Sequence, residues 1–202
     1  MNNMVPDSGF GRGNKPIINI TIAEAKAFCN YLSMISELPP AYDARGRLLD
    51  DAGDLTDDPS KAKGYRLPTE AEWEYTARGG LKADETQYAG SNDLNTVGFF
   101  WNNAKFNGQW QSHAVGQKAP NELGIHDMSG NVAEFVSDTM YDYEDVEKSL
   151  VNPFFYGNGP VIFRGGSWYD PAKFCTVFKR RFTREENAFD HVRFRIARTI
   201  VE

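Results

Sequence analysis

The N-terminal part of the chain changes from a short apolar run to helical spacing. Residues 16–20 (PIINI) are mostly apolar, which predicts a short buried strand. Thr21 follows, with Glu24 three residues later, and apolar side chains then recur at intervals of three and four. This pattern predicts a helix that begins with a capping box. Because Pro39-Pro40 cannot continue a helix, the helix must end before them.

A second helix is predicted after a polar stretch. Residues 43–63 are rich in Asp and Gly and predict an insertion at the protein surface. Pro68 and Thr69 then open a segment with the composition of a helix, since Pro suits the first turn and Thr is a good N-cap. Gly79-Gly80 ends that segment.

The remainder of the chain loses helical periodicity and becomes rich in aromatic residues, Gly and Asn. Short apolar runs at 97–101 and 161–163 predict strands, and turn signals stand at 107–108 and 157–159. Two helices followed by short strands predict an α+β fold with long loops, and a length of 202 residues favours one domain. Loops of this length usually carry function.

Charge and composition restrict the classes of partner. The formal net charge is -6, which argues against nucleic acid, because binding to phosphates needs a basic face. No stretch approaches the ~20 apolar residues of a membrane span, and the first residues lack the pattern of a signal peptide. The default expectation is a cytoplasmic protein, with display on a cell surface or virion as the alternative. Cys29 and Cys175 are the two cysteines, which excludes a disulfide framework; the default expectation is two reduced thiols, and a single bridge between them is the alternative.

Five segments, in this order, resemble the formylglycine-generating-enzyme and sulfatase-modifying-factor family. They are residues 16–33 (PIINITIAEAKAFCNYLS), 65–80 (YRLPTEAEWEYTARGG), 120–138 (PNELGIHDMSGNVAEFVSD), 161–168 (VIFRGGSW) and 193–198 (RFRIAR). The resemblance extends over nearly the whole chain. It implies a single C-type-lectin-like domain over residues 1–202, with two helices around small antiparallel sheets.

The resemblance also implies a calcium site. In the family a calcium ion is held at the segment that matches residues 120–138. The matching positions here are Asp127, Gly130, Val132 and Glu134. Two carboxylates and two carbonyl groups from one tight turn are hard oxygen ligands of the type that calcium requires. The alternative is that Asp127 and Asn131 only cap the turn.

The enzymes of this family hold copper(I) with two cysteines that follow their GGS segment. Alignment through Gly165-Gly166-Ser167 places the second cysteine on Cys175 and the first on Asp170. Copper(I) prefers soft thiolates, and a carboxylate is a hard ligand. We therefore expect neither copper nor oxidase activity. A copper oxidase that pairs Cys175 with another ligand remains an alternative, and so does a structural accessory domain.

Residues 168–193 correspond to the active-site surface of the enzymes but combine aromatic side chains with cations. Such a mixture is typical of protein-binding surfaces. The segment also resembles the diversified C-terminal segment of the variable proteins of diversity-generating retroelements. This predicts a non-catalytic protein that binds a protein or another macromolecular ligand. The alternatives are that the phenylalanines belong to the core and that the cations form a solvated face. The predicted ligand-binding residues are Tyr169, Asp170, Phe174, Phe178, Lys179, Arg181, Phe182, Arg184, Asn187, Phe189, His191 and Arg193.

Overall fold

The computed structural model of the chain describes residues 6–141 and 151–200. Within them, no helix is both long and apolar enough to span a membrane. Short 3-10 turns lie at Pro59–Lys61, Gly80–Lys82 and Ala172–Phe174. The helices and strands, in chain order, are α1 (Ile22–Ile35), α2 (Glu70–Ala77), α3 (Leu94–Val97), β1 (Lys105–Phe106), β2 (Gln109–Trp110), β3 (Ala133–Thr139), β4 (Val161–Arg164), β5 (Arg180–Thr183) and β6 (Val192–Phe194).

Four of the strands form the central sheet, in the order β5-β4-β3-β6. Strands β3, β4 and β5 are antiparallel neighbours, whereas β6 pairs with β3 in parallel. The two remaining strands form a separate hairpin at the turn predicted from Asn107-Gly108, both of which have positive φ. The sequence therefore predicted the strand at 161–163 and the hairpin turn, and both are confirmed.

Helix α1 begins as the sequence predicted. The Thr21 hydroxyl accepts a hydrogen bond from the Glu24 amide at 3.2 Å, and the Glu24 carboxylate accepts one from the Thr21 amide at 2.8 Å. The capping box predicted at Thr69 for α2 is present as well, with Glu72 as its acid. Helix α1 ends at Ile35, before the prolines, because Glu37 adopts a left-handed backbone conformation with φ 56°.

The strand predicted at residues 16–20 is absent. Ile18 and Ile20 are buried, as expected, but Asn19 between them has φ 58°. A left-handed residue interrupts the pleat, so no ladder can continue through it. The run at 97–101 is not a strand either, because Val97 ends α3.

The sheet carries a hydrophobic layer on each face. On one face Phe135 and Phe163 pack in a cluster with Ile22 of α1. On the other face Val136 and Ile162 pack against Trp73 of α2. This burial of both faces fixes the sheet between the two helices, so that the segment after β4 starts from a rigid base.

The polar segment at residues 43–63 folds as small turns rather than as a regular element. Bridges join Tyr42 to Leu48 and Leu49 to Leu55. Leu48 and Ala62 are fully buried in the cluster beneath α1. The segment therefore combines an exposed tip with two residues that contribute to the core.

Candidate ligand-binding surface and its supporting charge network

Buried ion pairs attach α2 to the sheet. Glu70 is almost fully buried, and its Oε1 accepts from Arg164 Nη1 at 3.1 Å and from Arg180 Nε at 2.7 Å. The second Arg164 nitrogen, Nη2, pairs with Glu74. Arg180 is thus directed toward the helix, and the acidic run of α2 holds helix and sheet together.

Glu134 is a second centre of this buried network. Its carboxylate accepts from Trp73 Nε1 at 2.8 Å, from Arg193 Nη2 at 2.7 Å and from Arg195 Nη2 at 2.9 Å. Burial alone would raise the pKa of Glu134, but the two guanidinium groups and their hydrogen bonds outweigh it and lower the pKa to about 2. Arg193, predicted to contact a ligand, therefore has a structural role as a counter-ion.

The four positions predicted to hold calcium do not fit that ion as a set. Both oxygens of Glu134 already accept from cationic or indole donors, so this carboxylate is not free to coordinate a metal. Asp127 accepts from the Gly116 amide through Oδ2 at 2.8 Å, while its buried Oδ1 has no partner. Gly130 and Val132 lie buried on the intervening turn. Two arginines beside Glu134 supply the positive charge that calcium would have brought.

Asp170 and Cys175 lie in a closed environment. Asp170 accepts from the Ser167 hydroxyl at 2.6 Å and pairs with Arg181. Cys175 is fully buried, and burial, together with the neighbouring Asp170 charge, raises the pKa of its thiol to about 12. Asp170 and Arg181, both predicted as ligand contacts, thus form an ion pair with each other. A thiol with this pKa has almost no reactive thiolate near neutral pH.

Five aromatic rings form a continuous row, which we call the aromatic strip; it is exposed at Trp101 and Tyr169 and partly buried at Trp110, Phe189 and His191. Trp101 and Trp110 are stacked at 4.5 Å between ring centroids, and Tyr169 meets Trp101 edge-on at 6.0 Å. His191 lies 5.6 Å from Tyr169, and Phe189 lies 5.1 Å from His191. Tyr169 is 56% exposed and Trp101 41% exposed. The row combines large apolar area with fixed geometry, as binding anchors require.

Main-chain contacts join two of the segments that carry the strip. The Trp101 amide donates to the carbonyl of Asp170 at 3.0 Å, and Trp110 Nε1 donates to the carbonyl of Trp101 at 2.9 Å. Beneath the strip, Trp168 is buried and meets Phe10 edge-on at 5.4 Å. These contacts hold the segments that carry the exposed rings in place. Little conformational entropy of the protein is therefore lost when a ligand binds there.

The other predicted ligand residues do not lie in this row. Phe178, just before β5, and Phe182, on β5, are exposed at the edge of the sheet. Phe174 is half-buried, with the cationic groups of Lys179 and Arg181 5.6 and 5.3 Å from its ring centroid. The structure thus divides the predicted segment into a row of rings and a separate sheet edge.

The last two predicted contacts follow β5. Arg184 is 83% exposed and reaches Glu186 only at 4.0 Å. Asn187 is half-buried, and its side-chain amide donates to the Thr183 hydroxyl at 2.8 Å. Of this pair, Arg184 is the side chain available to a partner.

Comparison with known proteins decides the family. Residues 7–200 match the model of the sulfatase-modifying factor enzyme 1-like domain. The chain belongs to this family. It is 38% identical over 149 residues to the chaperone protein LppX of Paenibacillus barcinonensis, an alignment that covers 63% of this chain and 53% of LppX. It is 34% identical over 128 residues to the formylglycine-generating enzyme of Streptomyces coelicolor, covering 57% of this chain and 40% of the enzyme. The chain spans about half the length of these curated relatives.

Two solved structures share this fold. Treponema denticola variable protein 1 superposes with a TM-score of 0.75 at 30% identity, covering 98% of this chain and 76% of that protein. CarF superposes with a TM-score of 0.70 at 28% identity, covering 96% and 71%. The predicted α+β, C-type-lectin-like fold of the formylglycine-generating-enzyme type is thereby confirmed, as is the resemblance to a variable protein.

Sequence reasoning missed the two tryptophans of the aromatic strip. The sequence does contain three consecutive aromatic residues at 99–101. Phe99 and Phe100 pack against hydrophobic clusters, and Trp101 is the exposed member of the run. Lys105 extends the row, with its Nζ 3.9 Å from the Trp110 ring centroid.

Proposed function

We propose that this member of the family is a non-catalytic binding protein that holds a protein or another macromolecular ligand on the aromatic strip. The observation that supports the proposal most directly is the continuous contact of rings from separate segments of the chain, with Tyr169 and Trp101 exposed at its centre. Large exposed aromatic groups on a rigid base are typical of interface anchors.

We further propose that the segment from Trp168 to Arg193 is diversified, as in the variable proteins of diversity-generating retroelements. The similarity to Treponema denticola variable protein 1 supports this idea. The local structure supports it too, because the exposed side chains of the segment make few contacts with the core. Substitutions at such positions change the surface chemistry while the backbone hydrogen bonds remain.

The alternative function is a formylglycine-generating copper oxidase that uses Cys175. Family membership and the position of Cys175 beside Gly166 favour it. A second soft ligand would be needed, and the corresponding position is Asp170, which is paired with Arg181. Titration of copper(I) against a chromophoric chelator tests this alternative, with Cys175→Ala as control. Tight binding that the substitution abolishes would favour the oxidase, whereas equal, weak binding by both proteins would exclude it.

Two experiments test the binding proposal. The first is to sequence the DNA around the gene in several isolates. A nearby near-copy of the codons for residues 168–193, differing mainly where the copy has adenine, is the expected result. A constant segment with no such copy would contradict diversification and leave a binding protein with one fixed ligand.

The second experiment tests the aromatic strip itself. Proteins from an isolate's own environment are captured on the wild-type chain and on the variant Tyr169→Ala, with Leu81→Ala as the control. Leu81 is more exposed than Tyr169 and lies in the turn after α2, outside the strip. We expect loss of at least tenfold in affinity for Tyr169→Ala and none for Leu81→Ala. Equal binding by all three proteins would rule out the strip as the contact surface.

A further inference from the structure

A groove along Tyr156 is separate from the aromatic strip. Three adjoining cavities, of about 370, 740 and 560 Å³, share this tyrosine in their walls. The Tyr156 hydroxyl donates to the main-chain carbonyl of Arg45 at 3.2 Å, and this contact fixes the ring against the turn at residues 43–47. None of the five rings of the strip lines these cavities. The groove is therefore a distinct surface feature.

One end of the groove is cationic. Arg47 pairs with Asp43 at 2.7 Å, so its charge is matched locally. Arg45 makes no ion pair with a carboxylate in the parts of the chain that the structure describes, and Arg184 reaches only Glu186, at 4.0 Å and in full solvent. Exposed pairs of the latter kind contribute little. Two guanidinium groups at this end are thus available to an anionic group.

The floor of the groove is a buried lysine, Lys26, which contacts a main-chain carbonyl and two tyrosine rings. Lys26 Nζ donates to the Gly46 carbonyl at 2.8 Å and lies 5.2 and 4.7 Å from the ring centroids of Tyr42 and Tyr156. Burial lowers the pKa of Lys26 to about 8, while the nearby carboxylates of Glu185 and Asp43 oppose that shift. Asp43 is thus shared between Lys26 and Arg47. Glu185 lines the cationic cavity together with Arg45, Arg47 and Arg184, so positive charge remains in excess there.

The other end of the groove is apolar. Leu55 and Phe155 are both about half exposed there, beside Phe154 and the buried Leu48. Arg47 lies in the walls of both this cavity and the cationic one. A single partner can therefore reach the apolar and the cationic ends together.

We propose that the groove binds a peptide segment in which an acidic side chain is adjacent to an apolar one. The carboxylate would lie between Arg45 and Arg184, which can each donate two parallel hydrogen bonds, and the apolar side chain would cover Leu55 and Phe155. A peptide fits better than a free anion, because a free anion leaves the apolar end exposed to water. This site goes beyond the binding function proposed for the aromatic strip and explains why Arg184, a predicted ligand contact, lies apart from the rings.

A displayed library of random twelve-residue peptides tests the proposal. The library is selected on the wild-type chain and counter-selected on the double variant Arg45→Gln/Arg184→Gln. The matched control is Arg78→Gln/Lys82→Gln, which removes the same charge from the end of α2 and the turn after it. We expect peptides with an acidic residue next to an apolar one to be enriched. They should bind the groove variant at least tenfold more weakly than the control, with an affinity that falls as salt rises.

Three results would overturn the proposal. They are the absence of enrichment for acidic–apolar pairs, equal loss of affinity in the control, and displacement of the selected peptides by inorganic phosphate alone at millimolar concentration. The last result would show a small-anion site. Peptide binding should be unchanged in Tyr169→Ala, so failure of the groove and failure of the aromatic strip are distinguishable.

Discussion

Asp170 and Arg181 form an ion pair between the loop after β4 and strand β5. Asp170 is buried, whereas about a third of the Arg181 side chain is exposed. A double-mutant cycle with alanine at each position should give a coupling energy of roughly 1–3 kcal/mol, measured by urea unfolding, because the two residues share one buried contact. The exposed pair Arg184 and Glu186 is the matched control and should show little coupling. Equal coupling in both pairs would contradict a structural role for Asp170.

Replacement of Glu134 should destabilise the protein strongly. Glu134→Gln leaves two guanidinium groups without their buried counter-ion, and we expect a loss of roughly 3–5 kcal/mol in the free energy of unfolding. The depressed pKa of Glu134 means that its contribution is present above the ordinary carboxyl pKa of about 4.3 and is lost as the pH falls toward 2. Wild-type stability should therefore fall over that range. The variant should show a shallower fall, and an unchanged slope would argue against the ion pairs.

Asp138 should produce the opposite dependence on pH. Burial, with the added repulsion of Glu70 and Glu72, outweighs hydrogen bonds from the Glu70 and Phe155 amides and raises its pKa to about 7. The folded chain then holds a proton that the unfolded chain releases near pH 4. The contribution of Asp138 to the free energy of unfolding is therefore fully present below about pH 4 and declines as the pH rises through 7.

Substitution of Asp138 separates this effect from others. The stability of Asp138→Asn should change less between pH 4 and 7 than that of the wild type, since no proton is then released on unfolding at this position. Its free energy of unfolding should also be about 1 kcal/mol lower at every pH in this range, because one backbone amide donor faces the NH₂ group of the new asparagine. Thermal melts at several pH values give both quantities, and parallel curves for the two proteins would refute the assignment.

Calcium should have little effect on stability. Because Glu134 is occupied by Arg193 and Arg195, we expect millimolar calcium to leave the melting temperature within about 1 °C of its value in chelator. A rise of several degrees in the wild type that is absent in Asp127→Asn would contradict this expectation and support the calcium site predicted from the sequence. Magnesium at the same concentration controls for ionic strength.

The sequence revealed local signals well and long-range pairing poorly. The capping boxes at Thr21 and Thr69 depend on residues three positions apart, so both helix starts were predictable. The failed strand at residues 16–20 depends on Asn19, whose left-handed backbone is fixed by a hydrogen bond from its amide to the distant Phe189 carbonyl. No pattern of apolar residues contains that information.

The candidate site shows the same limit. The family resemblance indicated residues 168–193, of which Tyr169, Phe189 and His191 lie in the aromatic strip. Whether an individual cation faces outward depends on its partner in three dimensions. Arg181 and Arg193 are held by Asp170 and Glu134, residues that are 11 and 59 positions away. Among residues 6–141 and 151–200, Arg184 reaches only the exposed Glu186, at 4.0 Å, and it stays exposed.

The interleaving of buried and exposed positions after β4 limits what evolution or a protein engineer can vary there. Cys175, Thr176 and Val177 are fully enclosed between the exposed Tyr169 and Phe178, and Val192 is enclosed immediately after His191. A repertoire of binders on this scaffold would therefore vary at scattered codons, with invariant ones between them. Its size is set by the number of outward positions, and an unrestricted library over the same stretch would consist largely of chains that never fold.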